Sequence, residues 1–473
     1  MVTSKVITAP IVGSVKEIDL KRSVKEKLDT MVIDESGLKR PLTITIAIPT
    51  KIDVGRKSRR KEIETLGKML RECSQLADLG YVDEIIVLDG SVNKLGKPDY
   101  SVLTKVIKTA YLYLSLFRRE VGLIASSKAE AMHASRGFFD FFVKAVHQYD
   151  PNIAKLITSK VPQLKNVSHM PPGKGTALWM FIPLTKGDIL CFLDSDIMNF
   201  EKEMVVALCH PLVNSIRNKR LNYRMTKAFY KRLTLRYESE HKDYVFGGRV
   251  TRLFALPLIK VLSIRYPTIF GGLETLRYPL SGESAIIREV LEEIEFPYDY
   301  SVEVAILYQI AQKHGLKYIC QSDLDLFYHI GQSVKGLQNM VQQITTYFIN
   351  ILNEKNIQLN KEEVYELVQM YIEEANSLFK EHRRVFNTLK KDVKRRVKEP
   401  IFYSKQTDIQ RLKLFSSIIT ETLQNPIQPK DHLPPWSSCV SDLDYLVLST
   451  LMKRRANQST YSRLRSAELI PKI

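Results

Sequence analysis

The apolar run Ile189-Leu190-Cys191-Phe192-Leu193 ends abruptly in Asp194-Ser195-Asp196. A short continuous apolar run is the pattern of a buried strand in a parallel sheet, and open α/β sheets bind ligands at the carboxyl ends of their strands. Two carboxylates at such an end can hold a hard divalent cation, Mg2+ or Mn2+, which in turn neutralises a diphosphate. This is the chemistry of an enzyme that uses a nucleotide-activated donor. A solvated strand-to-loop junction would carry the same residues. Upstream stands Gly173-Lys174-Gly175. Its glycines would let the backbone approach an anion, the following helix would offer free N–H groups, and the ammonium adds a point charge. The spacing is not that of a Walker A loop, and a purely structural turn is the plainer alternative.

Further pieces downstream suit the same chemistry. Gly247-Gly248-Arg249-Val250-Thr251 sets a forked, anion-binding guanidinium beside a tight turn. Pro279-Leu280-Ser281-Gly282-Glu283 holds a carboxylate in a small-residue loop, and Ser301-Val302-Glu303 puts another at the start of an apolar helix. There Glu303 would also complement the helix dipole. His329 closes a strand in Phe327-Tyr328-His329-Ile330-Gly331 and would add a nitrogen to a cation site otherwise built of oxygens; a lone histidine is as readily structural.

These side chains need a scaffold. Periodicity predicts strands at Thr43–Ile48 (closed by Pro49), Glu84–Leu88 (ending in Asp89-Gly90-Ser91) and Val121–Ala125. Helices are predicted at Arg60–Leu79, Val102–Phe117 and Ala129–Tyr149, the last with Phe138, Phe139, Phe141 and Phe142 as a core face. This βαβ alternation gives an α/β fold, a mostly parallel sheet with helices on both faces. Residues 1–40 read as an N-terminal extension, 41–340 as the main domain and 341–473 as a C-terminal helical appendage. Helical stretches in the appendage run from Glu362 to Lys398 and from Thr407 to Leu423. Pro426, Pro429, Pro434 and Pro435 follow, then a last helix near Ser441 to Ala456.

The formal charge is +18 with 44% apolar residues. Basic blocks lie at 56–61, 227–236 and 390–398. They fit nucleic acid, an anionic membrane surface or small anionic substrates, or plain solvated helix faces. No zinc-knuckle spacing or Gly-rich aromatic RNA-binding signature accompanies them. Five scattered cysteines without a CxxC argue for reduced thiols and a cytoplasmic protein. No run approaches the ~18 apolar residues of a membrane span.

The ordered set Leu88-Asp89-Gly90-Ser91, Pro172-Gly173-Lys174-Gly175 with Ala177-Leu178-Trp179, Gly187-Asp188-Ile189, Asp194-Ser195-Asp196, Gly247 to Thr251, Pro279 to Glu283, Val302-Glu303, and His329 before Leu337 and Met340 resembles glucosyl-3-phosphoglycerate synthase. That family is a retaining glycosyltransferase of the Rossmann-like GT-A fold, and the resemblance covers residues 42–340. It implies transfer of a hexose from a nucleotide-sugar to 3-phosphoglycerate. Asp196 and His329 would coordinate Mg2+ or Mn2+ on the donor diphosphate. Lys174, Arg249 and Glu303 would form the catalytic set, with Glu303 close to the transferred sugar and the acceptor hydroxyl. Pro49, Asp53, Asp89, Ser91, Lys174, Asp194, Ser195 and Glu283 would line the donor. Arg249, Val250, Thr251 and Gln332 would grip the acceptor. The tail is expected to serve oligomerisation, as a homodimer, and no nucleic-acid partner is expected.

Two departures accompany the resemblance. Where the family's first strand leads into an Asn-Glu-Glu type segment, this chain has Pro49-Thr50-Lys51-Ile52-Asp53, so UDP-glucose, GDP-glucose and GDP-mannose all stay open as donors. Gln332 stands in for the asparagine expected just after the metal histidine. Competing readings are a glycosyltransferase acting on a polyprenyl phosphate or glycan, a nucleotidyltransferase, and a nucleic-acid binder. The absence of a membrane segment speaks against the first, and a loop at 49–60 with one glycine against the second.

Overall fold

The computed structural model describes residues 8–34, 37–167, 169–236, 243–331, 334–393, 400–425 and 432–471. Twelve strands occur among these: β1 Ile11–Ser14, β2 Met31–Ile33, β3 Lys39–Pro41, β4 Ile44–Thr50, β5 Glu84–Asp89, β6 Val143–His147, β7 Ile189–Phe192, β8 Met225–Arg236, β9 Asp243–Phe246, β10 Ser284–Ile287, β11 Ile319–Ile330 and β12 Ile401–Phe402. The main sheet runs β1-β11-β8-β10-β7-β4-β5-β6, with β9 on β8 and β12 on β9, while β2 and β3 pair apart. Strands β7, β4, β5 and β6 are mutually parallel, and β10 lies antiparallel between β7 and β8.

Period-two alternation distributes the central strands between two cores. Ile85 and Val87 pack with the helices Arg59–Asp78 and Lys202–Arg217. Ile86 and Leu88 pack on the other side with Lys174–Leu184 and Val302–Lys313. Both faces are therefore covered, which is why β4, β5 and β7 read as continuous apolar runs rather than alternating ones.

Three predicted elements differ. Val121–Ala125 lies inside a helix, Ser115–Ser126, because Phe117, Val121 and Ile124 recur at helical spacing on its buried side. The helix expected at Val102–Phe117 breaks at Leu114, whose backbone is extended, into Ser101–Tyr113 and Ser115–Ser126. The helix expected at Ala129–Tyr149 is instead a short helix, Lys128–Ser135, and strand β6. Gly137, at φ +79, takes the chain out of helical geometry, and Val143 and Val146 favour the pleated edge. Phe141 and Phe142 are buried as expected, but Phe138 is 54% exposed, with the Arg454 guanidinium 4.0 Å above its ring.

The expected segment boundaries do not separate packing units. Residues 11–14 form the edge strand beside β11. The helical stretch expected at Glu362–Lys398 holds two helices, Lys361–Ser377 and Phe379–Val393, and 394–399 lie outside the described residues. Pro426 and Pro429 also lie outside them. The last helix, Asp442–Ser466, covers the opposite sheet edge, β6. Its Asn457 and Thr460 accept hydrogen bonds from the Phe141 and Ala145 amides at 3.1 and 3.0 Å, and Ser459 donates to the Ala145 carbonyl at 2.8 Å. Side chains thus satisfy edge groups that would otherwise invite another strand. Trp436 stacks on Trp179 at 3.9 Å, and each indole N–H bonds a backbone carbonyl of the other's segment. The tail is thereby clasped to the helix that carries Lys174. All five cysteines are buried free thiols, and no described helix is long and apolar enough to cross a membrane.

Candidate functional site

The site lies beyond the carboxyl ends of β4 and β7, beside the last residues of β11. Leu193 still bonds the Ala47 carbonyl at 3.1 Å, after which the chain leaves the sheet into Asp194-Ser195-Asp196. Ser195 donates to Thr50 at the end of β4, 3.1 Å away. Asp194 receives a hydrogen bond from the Lys174 ammonium and lies against Gly282, where any Cβ would collide with the carboxylate. The same ammonium is 2.8 Å from Glu303. Burial alone would lower the Lys174 pKa, but Asp194 and Glu303 outweigh it and hold the ammonium charged, well above the ordinary lysine value.

The fold itself requires the glycines around Lys174. Each is packed so closely on the 297–298 backbone that a Cβ would overlap the Tyr298 or Pro297 carbonyl oxygen. The Gly175 N–H is taken by the Tyr298 carbonyl at 3.2 Å. That N–H is therefore not offered to a phosphate, while Pro172, Gly173 and the Lys174 side chain line the larger cavity. Gln148 fixes the approach to the turn, donating to the Pro171 and Gly173 carbonyls at 3.2 Å each.

Asp196 and His329 meet because the chain after β7 bridges back to β11. Ile197 pairs with His329, and the Met198 amide bonds the Tyr328 carbonyl at 2.8 Å. His329 Nδ1 lies 3.1 Å from Asp196 Oδ1, and its Nε2 is buried without a hydrogen-bond partner. Burial would raise the Asp196 pKa, but His329, Arg232 and Lys174 overcome it and keep the carboxylate ionised. Behind His329, Tyr230 stacks on Phe327 at 4.0 Å and donates to Glu283 at 2.9 Å. Burial and the neighbouring Asp194 push the Glu283 carboxyl upward.

Two cavities converge here. One, about 390 Å3, opens along Pro49, Thr50, Lys51, Arg56, Pro172 and Gly173. The other, about 140 Å3, is lined by Arg232, Arg249, Val250, Thr251 and Glu303, together with apolar Leu337 and Met340. Lys174, Asp194, Asp196, Tyr300 and Ile330 border both. Burial pushes the Arg249 guanidinium down to about 10, as do its neighbours Arg411, Arg232 and Arg252.

The structure brings together Pro49, Lys174, Asp194, Ser195, Asp196, Arg249, Val250, Thr251 and Glu303 around these cavities, with His329 and Glu283 directly behind. It does not bring Asp53, Asp89 or Ser91 to them. Asp53 accepts from the Val92 amide at 2.9 Å, and Ser91, fully buried, donates to Asp89 and accepts from the Ile52 amide at 2.7 Å. These three tie the loop after β4 to the loop after β5. For Asp89 and Ser91 the reason is burial: neither has any exposed surface to turn to a ligand. Gln332 lies outside the described residues. Sequence reasoning missed Arg232 and Lys227, which fall in a basic block read as a solvated helix face but stand on β8. The alternating Phe229, Leu233 and Leu235 beside them were the signal. Lys227 is buried, donates to the Ser281 carbonyl at 2.7 Å and is pushed down to about 8 by burial.

No protein-family model matches the chain. It is similar to curated glucosyl-3-phosphoglycerate synthases. That of Petrotoga mobilis is 37% identical over 182 residues, covering 38% of this chain and 52% of the relative. That of Persephonella marina is 29% identical over 245 residues, 49% and 57% of the two chains. That of Mycobacterium tuberculosis is 34% identical over 174 residues, 37% and 50%. The chain spans about half the length of the curated relatives it matches. Among solved structures, the Mycobacterium tuberculosis glucosyl-3-phosphoglycerate synthase in complex with Mn2+, UDP-glucose and phosphoglyceric acid aligns with a TM-score of 0.47 and 24% identity, covering 73% of this chain and 89% of that one.

Proposed function

We propose that the chain is a metal-dependent, retaining hexosyltransferase that moves glucose or mannose from a nucleotide-sugar to 3-phosphoglycerate. The observation that carries this reading is the meeting of a larger cavity and a small arginine-lined cavity at Lys174, Asp194 and Asp196. A donor with its diphosphate at Asp196 and a small anionic acceptor at Arg249 would meet there. The similarity to curated synthases points the same way.

Asp196 and His329 fit a divalent cation: a charged carboxylate and an imidazole lie side by side, and the buried His329 Nε2 has no protein partner. The described residues hold no cluster of three such ligands, so donor oxygens and water would complete the shell. Bound there, Mg2+ or Mn2+ would neutralise charge on the leaving diphosphate. Lys174 supplies a fixed positive charge to the same developing charge, preorganised by two carboxylates and costing no reorganisation during reaction. Asp194, pinned by Lys174 and Gly282, is placed to orient the sugar. Arg249 and Thr251 hold the acceptor in line, lowering the entropic cost of encounter. Glu303 is held in an ion pair with Lys174, which disfavours a covalent role. The acceptor hydroxyl then attacks from the leaving-group face and passes its proton to the departing phosphate oxygen. A cytoplasmic site of action belongs to the same proposal, supported by the five unpaired thiols. So does a homodimer, supported by exposed Leu443, Leu446 and Val447 on the last helix.

The test is nucleoside-diphosphate release from UDP-, GDP- and ADP-sugars, with and without 3-phosphoglycerate, in Mg2+ or in EDTA. Release that requires both acceptor and metal supports the proposal and names the donor. Metal-dependent release indifferent to 3-phosphoglycerate removes that acceptor.

A further inference from the structure

We propose that Asp408, in the C-terminal helical region, is a positioning residue for the acceptor cavity: through Arg252 and the Gly247 carbonyl it sets the turn that presents Arg249. The inference rests on reading the Arg249 cavity as the acceptor site.

The connection can be followed bond by bond. Asp408 lies on the helix Lys405–Gln424 and is 2% exposed. One carboxylate oxygen takes Arg252 at 3.0 Å and the other takes Arg411 at 3.2 Å. The Arg252 Nε donates to the Gly247 carbonyl at 2.9 Å, and its guanidinium lies 4.2 Å from the Phe246 ring centre. A second strap from the same region meets Arg252: His382, on the helix Phe379–Val393, lies 3.3 Å from it. Burial and the adjacent Arg252 push His382 down to about 3, so the neutral ring accepts a hydrogen bond from the guanidinium N–H.

The turn itself is held from both sides. The Gly247 amide bonds the Arg232 carbonyl at 2.7 Å while Arg252 holds the Gly247 carbonyl. Gly248 has φ +65, and a Cβ on it would lie 2.9 Å from the Tyr278 hydroxyl, so the turn has one way to lie. Arg249 follows at once, at the entry to a helix whose next turn, Thr251–Ala255, is a π-helix, a form frequent at functional sites. Charge adds a second reason. Arg411, Arg232 and Arg252 all press positive charge on Arg249, and Asp408 offsets it. Removing that carboxylate would splay the guanidinium groups and release the Gly247 carbonyl. The tail therefore completes the acceptor cavity and is not an independent appendage.

The experiment is steady-state kinetics at saturating donor and Mg2+ with varied 3-phosphoglycerate. It uses the full chain, Asp408→Asn, and Arg252→Lys, which keeps the charge but cannot reach both Gly247 and Asp408. Loss of a buried charged hydrogen bond predicts an acceptor KM raised about tenfold or more, with kcat and donor KM within about twofold. Should Asp408→Asn not fold, Arg252→Lys must show the same split. An unchanged acceptor KM in a folded variant, or equal loss in every constant, would overturn the inference. Failure of the unaltered chain to respond to 3-phosphoglycerate would overturn the acceptor reading beneath it.

Discussion

Lys174 and Glu303, brought together from two different helices, form an ion pair of 2.8 Å on the boundary between the two cavities. The pair places a permanent positive charge where a leaving diphosphate would gather negative charge, and it occupies the carboxylate nearest the acceptor side. Lys174→Met should therefore lower kcat by ~10²–10³. It should also lower the thermal midpoint, because Asp194 and Glu303 would lose their shared counter-charge. Kinetics and a melting curve on one preparation check both, and a kcat within a factor of two of the parent would exclude Lys174 from the chemistry.

Asp196→Asn and His329→Ala should each abolish the stimulation of turnover by Mg2+ or Mn2+ while leaving the circular dichroism spectrum unchanged. Asp196 is the more sensitive of the two, since it brings the charge. A metal titration of activity reads the outcome; parental metal dependence in either variant would remove that residue from the cation site.

Gly282→Ala should inactivate without unfolding the sheet. The added methyl would occupy the space of the Asp194 carboxylate, which must swing away and leave Lys174 with Glu303 alone. Donor KM and kcat should both suffer, whereas the melting temperature should shift by only a few degrees. Normal kinetics would mean that Asp194 has freedom the close packing denies it.

Asp89 gives a pH-dependent stability. Burial pushes its carboxyl up to about 7, against the hydrogen bonds from Ser91. Between the ordinary value of about 4 and 7 the folded chain keeps a proton that the unfolded chain has lost. Stability should therefore fall as pH rises through that window and level off above it. Asp89→Asn, which can still accept from Ser91, should flatten this part of the profile and add ~1–4 kcal/mol at pH 8. Denaturant melts at several pH values decide it; parallel profiles for both proteins would refute the assignment.

The central strands were legible because they are buried on both faces and read as continuous apolar runs such as 189–193, although the run at 121–125 has the same look and is helical. Asp194 and Asp196, just past β7, and Glu303, in the first turn of its helix, could be singled out as candidates from local pattern alone. Burial beyond the strand was not legible. Asp89 and Ser91 carry the residue types of a ligand loop yet spend their hydrogen bonds on each other and on the Ile52 amide. β6 was hidden because its partners are remote: β5 on one side, and on the other the side chains of Asn457, Ser459 and Thr460, more than three hundred residues away in the chain. Remoteness also concealed Asp408, whose significance depends on a contact with Arg252, 156 residues away, that no local pattern announces.

The most direct test of the central claim is to follow the sugar itself. Incubation of the purified chain with 3-phosphoglycerate, Mg2+ and the nucleotide-sugar it accepts, watched by proton NMR, should show the donor's anomeric signal replaced, in equal amount, by that of a glycosylated phosphoglycerate of the same anomeric configuration. Free sugar in place of that product, or a product of inverted configuration, would contradict the account.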